Sequence, residues 1–383
     1  MSQLQAPVKL LSARTNLQLP DHILIWLQYI FIPLVLLIMR FYHSIKSIVI
    51  LFVVAMVSSV RADDGGSSAY NFLNIPTSSH AFALGGSAPA VIDDDVTLVD
   101  QNPALLGPEI DRQIAFNYMM YMQSGNFAGL RYGMEAGERG AWAIGMRYLN
   151  YGSITRYDQN GFTDGSTFSP QDLVVEGTYS HDFTDRLRGG INMKMVYSNY
   201  DGRSAFALAA DLGINYYDDE KDLSLSVVLK NAGGQLKRFY NTYDRLPIDL
   251  EFGYMQGIGT SPFSVAITAT NLTRWKLPYY THSTDGDSQQ LEMKSGFFSD
   301  LFRHLIFGIQ VAPSDKFYAA LAYNYKTRTD MSSYSRNFLS GFSIGLGIRV
   351  SSFGVSLAYA MPHKAGSSLL LHLNLAIGEL IGY

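Results

Sequence analysis

The side chains able to do chemistry are scattered. The eight histidines include His80, His181, His304, His363 and His372, and none sits four residues from another, the spacing that puts two ligands on one helix face. No His-Glu-x-x-His string is present, and no Ser lies three residues before a Lys. The chain has no cysteine, which excludes disulfides, thiolate metal sites and cysteine nucleophiles. Gly-x-Gly strings such as Gly345-Leu346-Gly347 fall inside an alternating run, not before a helix, so they do not read as a phosphate cradle. The expectation is no enzyme, no cofactor and no bound metal.

Three clusters remain. The triplet Asp93-Asp94-Asp95 precedes Val96, Leu98 and Val99, and is followed by Asn102-Pro103. It reads as a short helix or turn whose acidic residues complement exposed N–H groups; a cation site is the less favoured alternative. Charges on the small-residue face of alternating segments (Glu176, Arg188, Lys194, Asp211, Glu251 and Arg349) fit either a solute path or a salt-bridged interior, and the second is preferred. The stretch Arg274-Trp275-Lys276-Leu277-Pro278-Tyr279-Tyr280 carries residue types that dominate interface hot spots. Arg274, Trp275, Lys276, Tyr279 and Tyr280 are the expected docking residues for a partner outside the cell; an aromatic membrane anchor is the rival.

These clusters must be positioned by strands. Only 16% of the 383 residues are charged, while 13% are aromatic and 34 are glycine. Soluble domains carry about a quarter charged residues. From residue 63 onward no apolar run approaches the ~20 residues of a spanning helix. From residue 111 the chain instead alternates. Trp142, Ile144, Met146 and Tyr148 oppose Ala141, Ala143, Gly145 and Arg147; Phe342, Ile344, Leu346, Ile348 and Val350 oppose Ser343, Gly345, Gly347 and Arg349. Runs of this kind reach the ~9–11 residues needed to cross a bilayer as strands.

About fourteen strands are expected, at 112–121, 125–134, 140–150, 171–182, 187–199, 203–217, 221–231, 246–257, 262–273, 302–312, 316–327, 337–350, 352–361 and 367–378. The long connections follow strands three, seven, nine and eleven, as in barrels with short periplasmic turns and long outer loops. The expected fold is an all-β, fourteen-stranded antiparallel transmembrane barrel in an outer membrane, with both termini periplasmic. Tyr118, Tyr121, Tyr148, Tyr197, Tyr216, Tyr217, Tyr254, Tyr323, Tyr325 and Tyr359 suit interfacial girdles. A net charge of −4 gives no reason to expect nucleic acid.

Ahead of the barrel, 39–62 reads as a signal peptide. Arg40 and Lys46 supply the positive end, Ile48 to Val57 the apolar stretch, and Val60-Arg61-Ala62 the cleavage signal before Asp63. Residues 1–38 then read as an over-extended start, with a membrane anchor from Ile23 to Met39 as the alternative.

The segment 63–110 does not alternate. Its strings Ser68-Ala69-Tyr70-Asn71-Phe72-Leu73-Asn74-Ile75-Pro76, Ala83-Leu84-Gly85-Gly86, Asp93-Asp94-Asp95 and Gln101-Asn102-Pro103-Ala104-Leu105-Leu106 resemble the PorQ family of type IX secretion outer-membrane barrels. More loosely, they resemble PorV and the FadL-like transporters. The resemblance covers essentially all of 63–383. It implies an N-terminal plug or hatch at 63–110, with Asp93, Asp94, Asp95, Asn102 and Pro103 in its motif, inside a barrel at 111–383. It further implies a subunit of the surface attachment complex that anchors a PorZ-like protein, with PorU- and PorV-like proteins in a larger assembly and outer-membrane lipid or lipopolysaccharide around it. A FadL-like transporter of hydrophobic solutes is the alternative function, and an open porin a weaker third.

Overall fold

A computed structural model describes residues 70–378 apart from 122–123, 159, 242, 284–289, 331–337 and 364–365. The leader, its cleavage point at Ala62 and Asp63, the extension 1–38 and the last residues lie outside the described residues.

Fourteen strands close into one antiparallel barrel: β1 (Gln113–Tyr121), β2 (Gly125–Glu135), β3 (Gly140–Asn150), β6 (Gln171–Thr184), β7 (Leu187–Tyr200), β8 (Arg203–Asp218), β9 (Leu223–Lys237), β10 (Asp249–Gly257), β11 (Phe263–Ala269), β14 (Leu305–Ser314), β15 (Phe317–Asn324), β16 (Phe342–Val350), β17 (Phe353–His363) and β18 (Gly366–Ala376). Two small hairpins stand outside the ring, β4 (Ile154–Thr155) with β5 (Thr167–Phe168) and β12 (Tyr279–Ser283) with β13 (Gln290–Lys294). The seam is β1 on β18, from Gln113 opposite Ala376 to Met120 opposite Leu369. The barrel therefore starts and ends at the same rim, which also carries the tight turns such as 185–186 and 351–352. The long connections, including 270–304 and 325–341, lie at the other rim.

The alternation fixes the faces. Inward residues are small or polar and buried; outward ones are large, apolar and exposed, as with Ile144, Met193, Ile344 and Ile348, each about half exposed. No described helix is long and apolar enough to cross a bilayer. A closed ring pairs every backbone N–H and C=O without an edge, and this one presents an apolar exterior on every strand. That is the form in which strands cross a bilayer.

Among the described residues three α-helices accompany the strands: α1 (Ser79–Ala83), α2 (Phe297–His304) and α3 (Tyr325–Asp330). Two of them correct the expected strand limits. The tenth barrel strand begins at Leu305, not 302, because Phe297 to His304 wind into α2. The eleventh stops at Asn324, not 327, because Tyr325 opens α3, which also takes that tyrosine out of the strand-end girdle. Similarly, β11 ends at Ala269, where the expectation ran to 273.

Candidate functional site: the filled lumen and the long-loop rim

The barrel interior is occupied by the chain's own residues 70–112. Tyr70, Phe72, Leu73 and Ile75 enter an apolar cluster with Met119, Phe127, Leu149, Val174 and Val196 of the wall. Nearer the tight-turn rim, Val96, Val99, Leu106 and Ile110 pack on Ala115, Ala141 and Ala143. On the opposite wall α1, with Leu84 and Val91, meets Met255, Ala266, Ala320 and Ala358. Burying this much apolar surface is what holds the hatch without a disulfide.

Charges join the hatch to the wall. Asp100 of the hatch pairs with Arg131 of β2, which also reaches Glu176 of β6 at 2.7 Å. Arg147 of β3 completes the group with Glu176 and stands 4.0 Å from Asp100. All four are almost fully buried, and two guanidiniums balance two carboxylates. Beside them Lys194 pairs with Asp211 at 2.6 Å. Asn231, held in the left-handed region at a β9 irregularity, accepts from Lys194 at 2.9 Å and returns its N–H to Asp211 at 2.7 Å. Further round, Lys230 and Ser87 of the hatch converge on Glu251 at 3.0 and 2.7 Å.

All six lumen charges read from the sequence are ion-paired, Arg188 with Glu109 at 2.8 Å and with Asp182. The salt-bridged interior is the arrangement present. Arg131, Arg147 and Asp100, the centre of the set, were not singled out from sequence. Arg131 and Arg147 occupy inward positions of alternating strands, and that parity was the available signal.

The aspartate triplet divides its work. Asp95 caps the 3₁₀ turn Val96–Asp100, accepting from the Thr97 N–H at 2.8 Å and from Ser78 at 3.0 Å. Asp93 and Asp94 grip Arg349 of β16 at 2.7 and 3.0 Å. Asp93 also meets His80 Nδ1 at 2.8 Å, while His80 Nε2 lies 2.6 Å from Gln310 and the ring stacks 3.9 Å from Tyr318. Burial pushes the Asp93 carboxyl up, but His80 and Arg349 outweigh it and hold it at about 2. Among the described residues no group of three His, Asp or Glu is placed to hold a metal ion.

Asn102 and Pro103 lie deep in the lumen. Asn102 accepts from the Ala104 N–H at 2.9 Å and donates to Ser226 at 3.0 Å and to the Pro89 carbonyl at 3.2 Å. Glycine on the wall makes this approach possible: a Cβ at Gly213 would collide with the Asn102 side chain, and one at Gly190 with the Pro103 backbone.

One motif escaped the sequence reading. Gly341-Phe342-Ser343-Ile344-Gly345 has the spacing of a hydrolase nucleophile elbow. Ser343, however, is the second residue of a straight barrel strand, buried, with its hydroxyl donating to the Ala83 carbonyl at 2.8 Å. An elbow needs a sharp strand-to-helix turn that exposes the hydroxyl, so this serine fastens α1 to β16.

At the long-loop rim, Trp275 is about half exposed and packs 5.6 Å from Phe297 and 5.2 Å from His304. Tyr280 and Lys276 are exposed, Arg274 is half-buried, and Tyr279 tucks under the Arg303 guanidinium at 5.0 Å. Trp275, Lys276 and Tyr280 are thus the exposed members of the stretch, while Tyr279 is held by the Arg303 anchor. At the tight-turn rim a cavity of about 260 Å³ is lined by Asp94, Glu109, Asp111, Arg349, Ser351 and Asn374. It is polar, and smaller than the ~300–1,000 Å³ of most ligand pockets.

No family model and no curated protein matches the sequence. Among solved structures the chain is similar to the Ralstonia pickettii toluene transporter TbuX, at 12% identity over 80% of this chain and 98% of that one, with a TM-score of 0.47. It is similar to a Pseudomonas aeruginosa FadL homologue at 11% identity over 81% and 99%, TM-score 0.46. It is also similar to the Pseudomonas putida toluene transporter TodX at 10% identity over 77% and 95%, TM-score 0.45.

Proposed function

We propose that this chain is a non-enzymatic outer-membrane barrel, sealed by its own N-terminal segment, that anchors a surface protein through its long-loop rim. Both chain termini then face the periplasm. The observation that carries the reading is the Asp100, Arg131, Arg147 and Glu176 group: a plug joined to the wall by buried ion pairs is built to stay. Extracting one member leaves an uncompensated buried charge, costing about 3–5 kcal/mol.

The partner follows from the family resemblance. It is a PorZ-like surface protein, within an attachment complex that also holds PorU- and PorV-like proteins. Trp275, Lys276 and Tyr280 supply the contact, with Arg274 and Tyr279 beneath. The Asp93, Asp94, Asp95, Asn102 and Pro103 motif belongs to the seal.

The competing reading is a channel for hydrophobic solutes, the role named for the toluene transporters. It requires an apolar path past the hatch, whereas the hatch packs closely on β2, β3 and β6 and is crossed there by buried ion pairs.

Affinity capture from solubilised membranes separates the two. The anchor reading expects a surface protein to co-purify, Trp275→Ala with Tyr280→Ala to lose it, and removal of the barrel to release it into the medium. Unchanged surface retention without the barrel, together with barrel-dependent uptake of an apolar solute such as toluene, would transfer the assignment to the channel.

A further inference from the structure

Helix α2 is built inside out. A helix on a soluble protein turns its apolar stripe to the core and its charges to water. Here Phe297, Phe298 and Phe302 are 63%, 72% and 46% exposed, whereas Asp300, Arg303 and His304 are almost fully buried. The spacing is helical on both faces: Phe298 and Phe302, four apart, share one side and 300, 303 and 304 the other, with Phe297 at the border between them.

The buried face is fastened. His304 lies 2.7 Å from the Thr270 carbonyl and 3.0 Å from the Trp275 carbonyl. Arg303 pairs with Asp330 and Thr329 of α3 and covers the Tyr279 ring. Asp300 accepts from Ser295 at 3.1 Å. The phenylalanine face is therefore held outward by at least three polar anchors and cannot roll under.

Its location says what covers it. The last residue of α2 is followed directly by β14, whose outward Phe307 and Ile309 belong to the apolar exterior. Phe302 packs 6.1 Å from Tyr325, while Phe342 lies 4.8 Å from Tyr323 and 6.3 Å from Phe338. Aromatic side chains thus cluster at the strand ends beside the helix, next to the outward Phe307 and Ile309 of the membrane belt. We propose that α2 is a membrane-interface helix, with Phe297, Phe298 and Phe302 seated among the outer-leaflet acyl chains beside β14. Amphipathic helices bind lipid in this way, with the apolar side a few ångströms below the headgroups. The inference rests on the barrel reading above, with the long loops at the outer surface.

The absence of cysteine makes the test direct, since each introduced thiol is the only one. Phe298→Cys and Phe302→Cys are spin-labelled in phosphatidylethanolamine–phosphatidylglycerol vesicles and probed for collision with oxygen, which partitions into lipid, and with a water-soluble nickel complex. Ile144→Cys on the outward face of β3 marks the belt, and Phe162→Cys in the β4–β5 loop marks water. The expected oxygen-to-nickel ratio at 298 and 302 matches that at 144. A ratio matching 162, with 144 still lipid-exposed, overturns the placement of α2 alone. A water-like ratio at 144 overturns the barrel reading and α2 with it.

Discussion

The two sides of the lumen hold the same hatch by different means. Along β2, β3, β6, β7 and β8 the contact is ionic: Asp100 against Arg131 and Arg147, with Glu176, Lys194 and Asp211 behind. Along β14, β15, β16 and β17 it is mostly small and close, with one ionic clasp where Asp93 and Asp94 hold Arg349. Leu84 lies over Gly308, Ala83 over Gly345, and His80 is stacked on Tyr318. Ion pairs are directional and demand an opposite charge at a fixed place, so they set where the hatch sits. Small residues admit many neighbours, so they set how near it comes. Both walls use both devices, but the buried ionic group lies on one and most of the alanine and glycine contact with α1 on the other.

Single substitutions should separate the two. The largest effect is expected from Glu176→Leu, which leaves two buried guanidiniums to share Asp100 and should cost about 3–5 kcal/mol in urea unfolding of the reconstituted barrel. Replacing Asp100, Arg131, Arg147 and Glu176 together with apolar residues of like volume should recover most of that. If the single and quadruple variants are equally destabilised, the charges do more than specify position.

On the other wall Leu84→Ala should cost about 2–4 kcal/mol, through lost contact and a residual cavity. Because Leu84→Ala leaves the ion pairs at Arg131 and Arg349 intact, the hatch should keep its register, read as an unchanged protease pattern. Tyr318→Leu, which removes the ring beneath His80, should cost about 1 kcal/mol, and more would mean that the stack also orients His80 toward Asp93.

A pH step at the Arg349 clasp is an effect of a different kind. The Asp93 carboxyl is held at about 2 in the folded chain, below the ~3.9 of a free aspartate. Its contribution is full above about pH 4 and is lost as pH falls through about 2. Protease cleavage within 70–112 should therefore rise over that interval, and Asp93→Asn should flatten the rise.

The ring was legible in the sequence because its signal is local. Ile344, Leu346 and Ile348 alternate with Gly345 and Gly347 whether or not their neighbours are known, and the fourteen expected runs coincide with the fourteen barrel strands. Helix α2 was misread because Phe302-Arg303-His304-Leu305-Ile306 continues an alternating pattern into β14, while its helical period shows only when Phe297 and Phe298 are counted with it. The docking loop was recognised by residue type, but which of its side chains are exposed depends on the Arg303 anchor, 24 residues beyond Tyr279 in sequence. The ionic group was illegible for a stronger reason. Asp100 meets Arg131 only because the hatch enters the ring at one depth, and depth is a property of the closed structure.

The seam described for β1 and β18 has a consequence for how the molecule is made. The segment that fills the lumen is tied directly to the first stave, and the ring cannot shut until the last stave, Gly366 to Ala376, has been synthesised and brought back to Gln113. The cork thus exists long before the bottle. Any factor that folds this chain into a membrane must shelter a detached, charge-bearing stopper until the final zipping step traps it.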